Sequence, residues 1–240
     1  MPTPFQDFLP QLRTLRDRHR TAPPDQVRVD QLTRAWSWAA KPGDDEWLAL
    51  CSLEGDPTGV FAPRWLAHLT GMPHCTAHVG LLTPSGFVVL QRRSPHKAQF
   101  PNAWDLAVTG HVSLPAEAPL TPVTYQVAAA RELEEEMGLP ESEHSQLLQT
   151  PGLARIGSPA AYYGECEEGP RPWYDQEVRQ LFGAVLTPAG LARLTFPEEE
   201  ISAVLLCRPA EALRLAEGPE AAAGLLGSVR ELADWWAVAR

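Results

Sequence analysis

The 240-residue sequence has no apolar run that approaches the roughly 20 residues needed to cross a bilayer, so we expect no membrane-spanning helix. Its N-terminus has no apolar segment followed by a small-residue cleavage site, and we therefore expect no signal peptide. The four cysteines lie far apart and form no CxxC pair. This pattern is typical of reduced thiols in a cytoplasmic protein.

Positive charge is also scarce, since 20 Lys and Arg face 30 Asp and Glu and the net charge is −10. A phosphate backbone requires a basic surface, so we expect no nucleic-acid partner. Since no apolar run is long enough to cross a bilayer, we also expect no membrane partner. A small polyanion can still bind through a local group of Arg and Lys or through a metal ion. The apolar content of 44% and the 8 Trp predict a packed globular core.

Residues 1–72 are predicted to form a mostly helical N-terminal extension, and residues 73–240 a separate domain. The segments LPQLRTLRDRHR and VDQLTRAWSWAA have helical patterns. EWLALCSLE is a possible strand, and APRWLAHLTG predicts a short helix that ends at Gly71.

The sequence changes in character after Thr76. HVGLLT and GFVVLQRR are apolar runs separated by Pro-Ser-Gly, which predicts a hairpin. WDLAVTGHV is a third predicted strand that ends at Gly110. EVRQLFGAVL and EISAVLLC predict buried strands, and GLLGSVRELADWWAVA a C-terminal helix. Strands interleaved with helices predict an α/β fold with a mixed sheet covered by helices.

An acidic helix stands between these strands. The stretch RELEEEMGLP, residues 131–140, places four glutamates among five consecutive residues. We predict that the helix begins with Thr121 as its cap and Pro122 at its first position, and that it ends at Gly138 before Pro140.

Helical geometry divides the four glutamates. Glu132, Glu135 and Glu136 share one face, whereas Glu134 points roughly the other way. Close like charges each cost about a few tenths of a kcal/mol. A divalent hard cation would reverse that repulsion, and Mg²⁺ prefers carboxylate oxygens. The spacing alone does not decide whether these glutamates form a metal-binding face or a solvated run of charge. The apolar stripe beside them consists of Ala129, Ala130, Leu133 and Met137.

Residues 131–139, R-E-L-E-E-E-M-G-L, match the second half of the Nudix box, R-E-U-x-E-E-x-G-U with U aliphatic, at every fixed position. Gly110, followed by His111-Val112, stands where the box glycine ends a strand. The sequence therefore resembles Nudix hydrolases, which implies an α/β/α sandwich. One feature differs, because the loop between Gly110 and Arg131 is about seven residues longer than in the pattern. The box Glu would fall at Ala116, and the neighbouring Glu117 could pair with Arg131 instead.

This resemblance implies hydrolysis of a nucleoside diphosphate linked to another moiety, or of a related pyrophosphate, with Mg²⁺ or Mn²⁺. The implied metal ligands are Glu132, Glu135, Glu136 and the Gly110 carbonyl, and we assign Glu135, Glu136 and Arg131 to the catalytic group. Which glutamate is the general base stays open. Many relatives dimerise, so a homodimer is compatible with the resemblance.

Residues 74–207 also resemble isopentenyl-diphosphate isomerases and their hydrolase relatives. The segment DQEVRQLF resembles the isomerase segment E-x-E-V, which places Asp175 and Glu177 at acidic metal and catalytic positions; we include Glu177 among the metal ligands. An isomerase site could be built from His74, His111, Asp175 and Glu177.

The isomerase has a cysteine as its acid/base group where this chain has Thr109, and its Nudix helix tends to be degenerate. The intact helix therefore favours a hydrolase of the isomerase-like branch, with His74 and His78 as ordinary strand-edge residues. The other residues shared with this branch are Gly86, Gln91-Arg92-Arg93, Lys97, Pro101 and Trp104.

Arg92, Arg93 and Lys97 follow a predicted strand. One interpretation is a solvated turn, and the other is a cationic lip that binds the diphosphate.

TGVFAPRWLAHL resembles the region ahead of the Nudix domain in proteins related to thiamine pyrophosphokinase, so thiamine-type diphosphates are candidate substrates. The remaining alternative is a non-catalytic Nudix ligand-binding module with the extension as a partner-binding arm.

Overall fold

The computed structural model describes residues 5–97, 99–114, 125–149, 153–168 and 171–238. In this part of the chain, helices and strands alternate as an α/β fold requires. The helices are α1 Leu9–His19, α2 Gln26–Ala35, α3 Arg64–Thr70, α4 Tyr125–Met137, α5 His144–Leu147, α6 Pro188–Arg193, α7 Pro209–Ala216 and α8 Leu225–Val238. The strands are β1 Trp47–Cys51, β2 Pro57–Pro63, β3 His74–Leu82, β4 Val88–Arg93, β5 Trp104–Leu106, β6 Val108–His111, β7 Ala154–Cys166, β8 Trp173–Val185 and β9 Ile201–Cys207.

The chain divides into two units that alternate along the sequence. Unit 1 consists of Met1–Thr76, His111–Tyr125 and Pro159–Arg179. Unit 2 consists of Ala77–Gly110, Gln126–Ser158 and Gln180–Arg240. The predicted domain boundary at residue 72 stays a prediction.

Unit 1 contains the N-terminal helices and a small antiparallel arrangement of strands. Asp25 caps α2, since its side chain accepts a hydrogen bond from the Arg28 amide, and Gly71 ends α3 in a left-handed conformation. β1 pairs with β2, and Leu50 of β1 lies opposite His74 of β3. Leucines of α1, α3 and β1 share one core with Trp36 and Tyr174.

Unit 2 is built around β4. The predicted β3–β4 hairpin is confirmed, with Leu82 opposite Val88 and a left-handed glycine in the turn. β3 and β5 pair with successive parts of one edge of β4, and β9 pairs with the opposite edge. Alanines of α7 and large apolar residues of α8, including Trp236, pack against leucines and valines of these strands.

Several elements differ from the sequence-based predictions. WDLAVTGHV forms two strands, β5 and β6, which are interrupted at Ala107. β9 is not fully buried, because Leu206 is 45% exposed. The N-terminal region includes β2 as well as the predicted β1, and the long strand β7 was not predicted. The predicted helix start at Thr121 and Pro122 lies outside the described residues, as does Glu117. None of the described helices is long and apolar enough to span a membrane.

Candidate active site

The acidic helix α4 is held in unit 2 by the stripe predicted from its periodicity. Ala129, Leu133 and Met137 are fully buried. Gly138 ends the helix with a φ of 68°, and a Cβ there would lie 2.1 Å from Thr195 Oγ1. Apolar packing therefore fixes the rotation of the helix, and thus where its glutamates point, while Gly138 fixes its end.

The glutamates of α4 are not equivalent. Glu132 and Glu136 are buried, whereas Glu134 is exposed and the Glu135 side chain is 55% exposed. Arg131 joins two of them: its Nη2 lies 2.7 Å from Glu132 Oε1, and its Nη1 donates to Glu135 Oε2 at 2.8 Å. Among the described residues, the groups of three or more ligand atoms within 4.8 Å of one another do not include this glutamate set. Metal ligation by all three stays a prediction.

Glu136 is the most enclosed acid of the helix. Its Oε2 accepts hydrogen bonds from Gln91 Nε2 at 3.0 Å and from the Thr109 backbone N–H at 3.4 Å. Burial, and then the negative charge of Glu132, raise the pKa of Glu136 to about 8. The positive charge of Lys97 lowers it again. Two carboxylates that repel each other in a buried place form a site that a cation would stabilise.

Gly110 lies directly against the second buried acid. A Cβ at Gly110 would lie 2.1 Å from Glu132 Cδ and 2.4 Å from its Oε1. Only glycine allows β6 to approach the carboxylate this closely. The ligand role of the Gly110 carbonyl stays a prediction.

Of the three predicted substrate-binding cations, Arg93 and Lys97 act on Glu136, since the positive charges of both lower its pKa. Arg93 Nη1 lies 3.5 Å from Asp105 Oδ2, and Lys97 forms an ion pair with Glu200. Arg92 has different surroundings. Its Nε donates to Asn102 O at 3.0 Å, and its guanidinium lies 5.7 Å from the centre of the Trp104 ring.

Unit 1 contains a second group of possible metal ligands, which we name the histidine cluster: His68, His74, His111, Asp175 and Glu177. His74 Nε2 and His68 Nε2 lie 3.4 Å and 3.5 Å from the same oxygen, Asp175 Oδ1. None of these three atoms has a hydrogen-bond partner in the described structure.

The protonation of the histidine cluster favours cation binding. His74 Nδ1 contacts Met72 O at 2.9 Å and must carry its proton, because a carbonyl only accepts. In the neutral ring, Nε2 then presents a lone pair towards Asp175. Burial lowers the pKa of His68 to about 4 and also lowers the pKa of His74, so both rings are neutral at pH 7. Burial raises the pKa of Asp175, and a bound cation would favour its carboxylate form.

The histidine cluster contains one residue that was predicted as an ordinary strand-edge residue and one that was not predicted. His74 is the first residue of β3 and is fully buried among other ligand-type residues, and its role stays a prediction. His68 was not predicted as a site residue. Glu177 accepts from Arg179 Nε at 3.0 Å and groups with His74 and Asp175. The metal-ligand role predicted for Glu177 together with the glutamates of α4 stays a prediction.

A family model described as the NUDIX domain matches residues 72–226, which is more than half of the chain. The chain belongs to the Nudix family.

Two curated relatives carry the same family name. "Nudix hydrolase 3" of Arabidopsis thaliana is 28% identical over 164 residues, or 67% of this chain, but the match spans only 19% of that protein. An uncharacterised Nudix hydrolase of Pseudomonas aeruginosa is 30% identical over 173 residues, which cover 72% of this chain and 85% of that protein. A crystal structure from Deinococcus radiodurans has a TM-score of 0.52 and 21% identity, and covers 77% of this chain and 98% of its own. Together with the match to the NUDIX family model, that likeness confirms the Nudix fold.

Proposed function

We propose that this Nudix protein hydrolyses a nucleoside diphosphate linked to another moiety, or a related small pyrophosphate such as a thiamine-type diphosphate, with Mg²⁺ or Mn²⁺. The observation that carries the proposal is the pair of buried acids on α4. Glu132 lies against Gly110, and Glu136 has Arg93 and Lys97 close enough to lower its pKa. Acids and cations in one place suit a metal ion and a polyanionic substrate.

In this proposal Glu132, Glu135 and Glu136 hold the divalent ion, with the Gly110 carbonyl as a further ligand. When bound, such an ion neutralises phosphate charge and promotes the ionisation of water. Arg93 and Lys97 orient the diphosphate.

The chemical step is hydrolysis of the anhydride. Water attacks one phosphorus atom, and the bond from that phosphorus to the bridging oxygen breaks. The proton of the water passes to a glutamate that acts as general base. The second phosphate leaves with the bridging oxygen. Arg131 supports the step by fixing Glu132 and Glu135, to which it is paired.

The test compares Glu136→Gln with Glu134→Gln on a panel of diphosphates in Mg²⁺. We expect Glu136→Gln to lower kcat/KM by at least about 100-fold, the upper range for loss of a group that supports a metal. Glu134→Gln removes the same charge from the exposed face of the same helix and should leave kcat/KM unchanged. Failure of the wild type to turn over any substrate, or full activity of Glu136→Gln, would contradict the proposal.

The histidine cluster supports a second metal site. Imidazole nitrogen with carboxylate oxygen suits Zn²⁺, Fe²⁺ or Ni²⁺ better than Mg²⁺. We propose that His68, His74, His111 and Asp175 hold such an ion. His111 Nδ1 lies 3.8 Å from Glu46 Oε1, which would orient the ring.

The isomerase alternative uses residues of this same cluster. It is distinguished by its product, because an isomerase converts isopentenyl diphosphate to the allylic isomer without release of phosphate. A hydroxyl is a poor acid/base substitute for a thiol, so Thr109 supports the hydrolase assignment. A non-catalytic module would bind diphosphates without turnover.

We propose that the protein has no nucleic-acid partner. We also propose that it forms a homodimer, which light scattering can test.

A further inference from the structure

Gln91 is a buried polar side chain in β4, where it follows three buried apolar residues and precedes two half-buried arginines. It is 1% exposed, and it lies opposite Asp105 of β5 on one side and Val204 of β9 on the other. A buried amide costs free energy unless it is hydrogen-bonded. An apolar residue at this position would avoid that cost, so the hydrogen-bond partner of this amide indicates the role of Gln91.

The partner of Gln91 is a carboxylate of the proposed active site. Gln91 Nε2 donates to Glu136 Oε2 at 3.0 Å, and the Thr109 backbone N–H donates to the same oxygen at 3.4 Å. Neither bond uses Oε1. Two donors from two different strands, β4 and β6, therefore fix one oxygen and with it the plane of the carboxylate.

We infer that Gln91 is a positioning residue, which holds Glu136 Oε2 so that Oε1 is oriented towards a divalent ion. The inference rests on the proposed metal-binding role of Glu136. The chemistry of the amide suits this task, because it donates a hydrogen bond without adding a positive charge that would compete with the ion. An Arg or Lys at the same place would neutralise the ligand.

Gln91→Met tests this inference, since it removes the donor and keeps a similar side-chain length. Binding of Mn²⁺ to the free protein is measured by electron paramagnetic resonance, and activation of hydrolysis by Mg²⁺ is measured in parallel. We expect the Kd for Mn²⁺ to increase about 10- to 100-fold, as for loss of other groups that orient metal ligands. The Mg²⁺ concentration for half activation should rise with it, and saturating Mg²⁺ should recover most of kcat.

Gln180→Met is the matched control. Gln180 is fully buried in the same unit, and its Nε2 donates to Ile156 O at 3.0 Å and Leu181 O at 2.9 Å. The control loses a satisfied buried amide and should lose stability, but its Mn²⁺ affinity should equal that of the wild type. Gln91→Asn keeps an amide that is too short to reach Glu136. It should weaken Mn²⁺ binding as Gln91→Met does, and it serves if the Met variant does not fold.

Glu136→Gln distinguishes failure of the proposed function from failure of the positioning role of Gln91. If it leaves Mn²⁺ binding unchanged, the metal role of Glu136 is wrong and the proposed function fails. If it weakens binding while Gln91→Met and Gln91→Asn bind Mn²⁺ as tightly as Gln180→Met, the proposed function stands and the positioning role of Gln91 is overturned.

Discussion

At the scale of single residues, Gly110 makes the most direct prediction. Its missing side chain leaves the space that the Glu132 carboxylate occupies. In Gly110→Ala the new methyl group must displace that carboxylate, since the backbone of β6 is held by strand pairing. We expect destabilisation of about 1–3 kcal/mol, as for overpacked sites in general. Hydrolysis and metal binding should both fall. Urea denaturation measures the loss of stability, the diphosphate assay measures hydrolysis, and Mn²⁺ titration measures metal binding.

Gly227→Ala is the control for this change. Gly227 lies on the exposed side of α8, and a Cβ added there would have nothing within 4 Å of it. Ala is the better helix former, so this variant should gain about 0.5–1 kcal/mol and keep full activity. Wild-type metal affinity in Gly110→Ala would show that the close approach to Glu132 has no role in the site.

The sequence predicts some of these residues and not others, for physical reasons. Helical periodicity was enough to place Glu132 and Glu136 beside the apolar stripe and Glu134 in solvent. It did not decide between an i, i+4 ion pair of Glu135 with Arg131 and a metal face that Glu135 shares with Glu132 and Glu136. His68 had no local signal as a ligand, since its partners lie in β3, β6 and β8.

At the scale of elements, strongly patterned segments were predicted well. The β3–β4 hairpin, α4 and α8 follow from apolar periodicity and turn residues. β7 was missed because its residues are mostly exposed or half-buried, so hydrophobic alternation is weak. β2 was missed because proline stands at both of its ends and glycine within it, which lowers strand propensity.

An ion-pair group in unit 1 joins α1 to β7, and its pH dependence can be predicted. Arg13 binds Glu167, whose Oε1 also accepts from Tyr174 Oη at 2.7 Å. Arg16 and Arg20 lie 2.9 Å and 3.2 Å from Glu165. The hydrogen bond from Arg13 lowers the pKa of Glu167 to about 2, even though partial burial opposes the shift. The folded state therefore favours the ionised carboxylate.

Because the folded pKa of Glu167 is depressed, its contribution to stability is present above the unfolded value and is lost as pH falls. Glu167→Gln should be slightly less stable than wild type at pH 7, as is usual for partly exposed ion pairs. The difference should shrink between about pH 5 and about pH 2. Urea midpoints across this range measure it. Glu168→Gln removes the same charge one residue away and should show no such trend; a parallel trend in both variants would rule out the specific ion pair.

At the scale of the whole molecule, each unit has its own group of buried ligand-type residues, and the two groups differ in chemistry. The acids of α4 in unit 2 offer only oxygen, whereas the histidine cluster of unit 1 offers imidazole nitrogen with carboxylate oxygen. Hard Mg²⁺ should select the first group, and Co²⁺ or Zn²⁺ the second. The two sites should therefore be loaded independently by choice of metal.

This selectivity is tested by thermal unfolding of the protein after its metals have been removed with a chelator and Mg²⁺ or Co²⁺ has been added. An ion at about 100 times its Kd adds about 2.7 kcal/mol of stability, or roughly 5–10 °C in Tm for a chain of this size. His74→Ala should lose the Co²⁺-induced shift and the visible Co²⁺ absorption but keep the Mg²⁺ effect. Glu136→Gln should do the reverse. A Co²⁺ shift that persists in His74→Ala would place that ion elsewhere and leave the convergence of His68 and His74 on Asp175 without a metal-binding role.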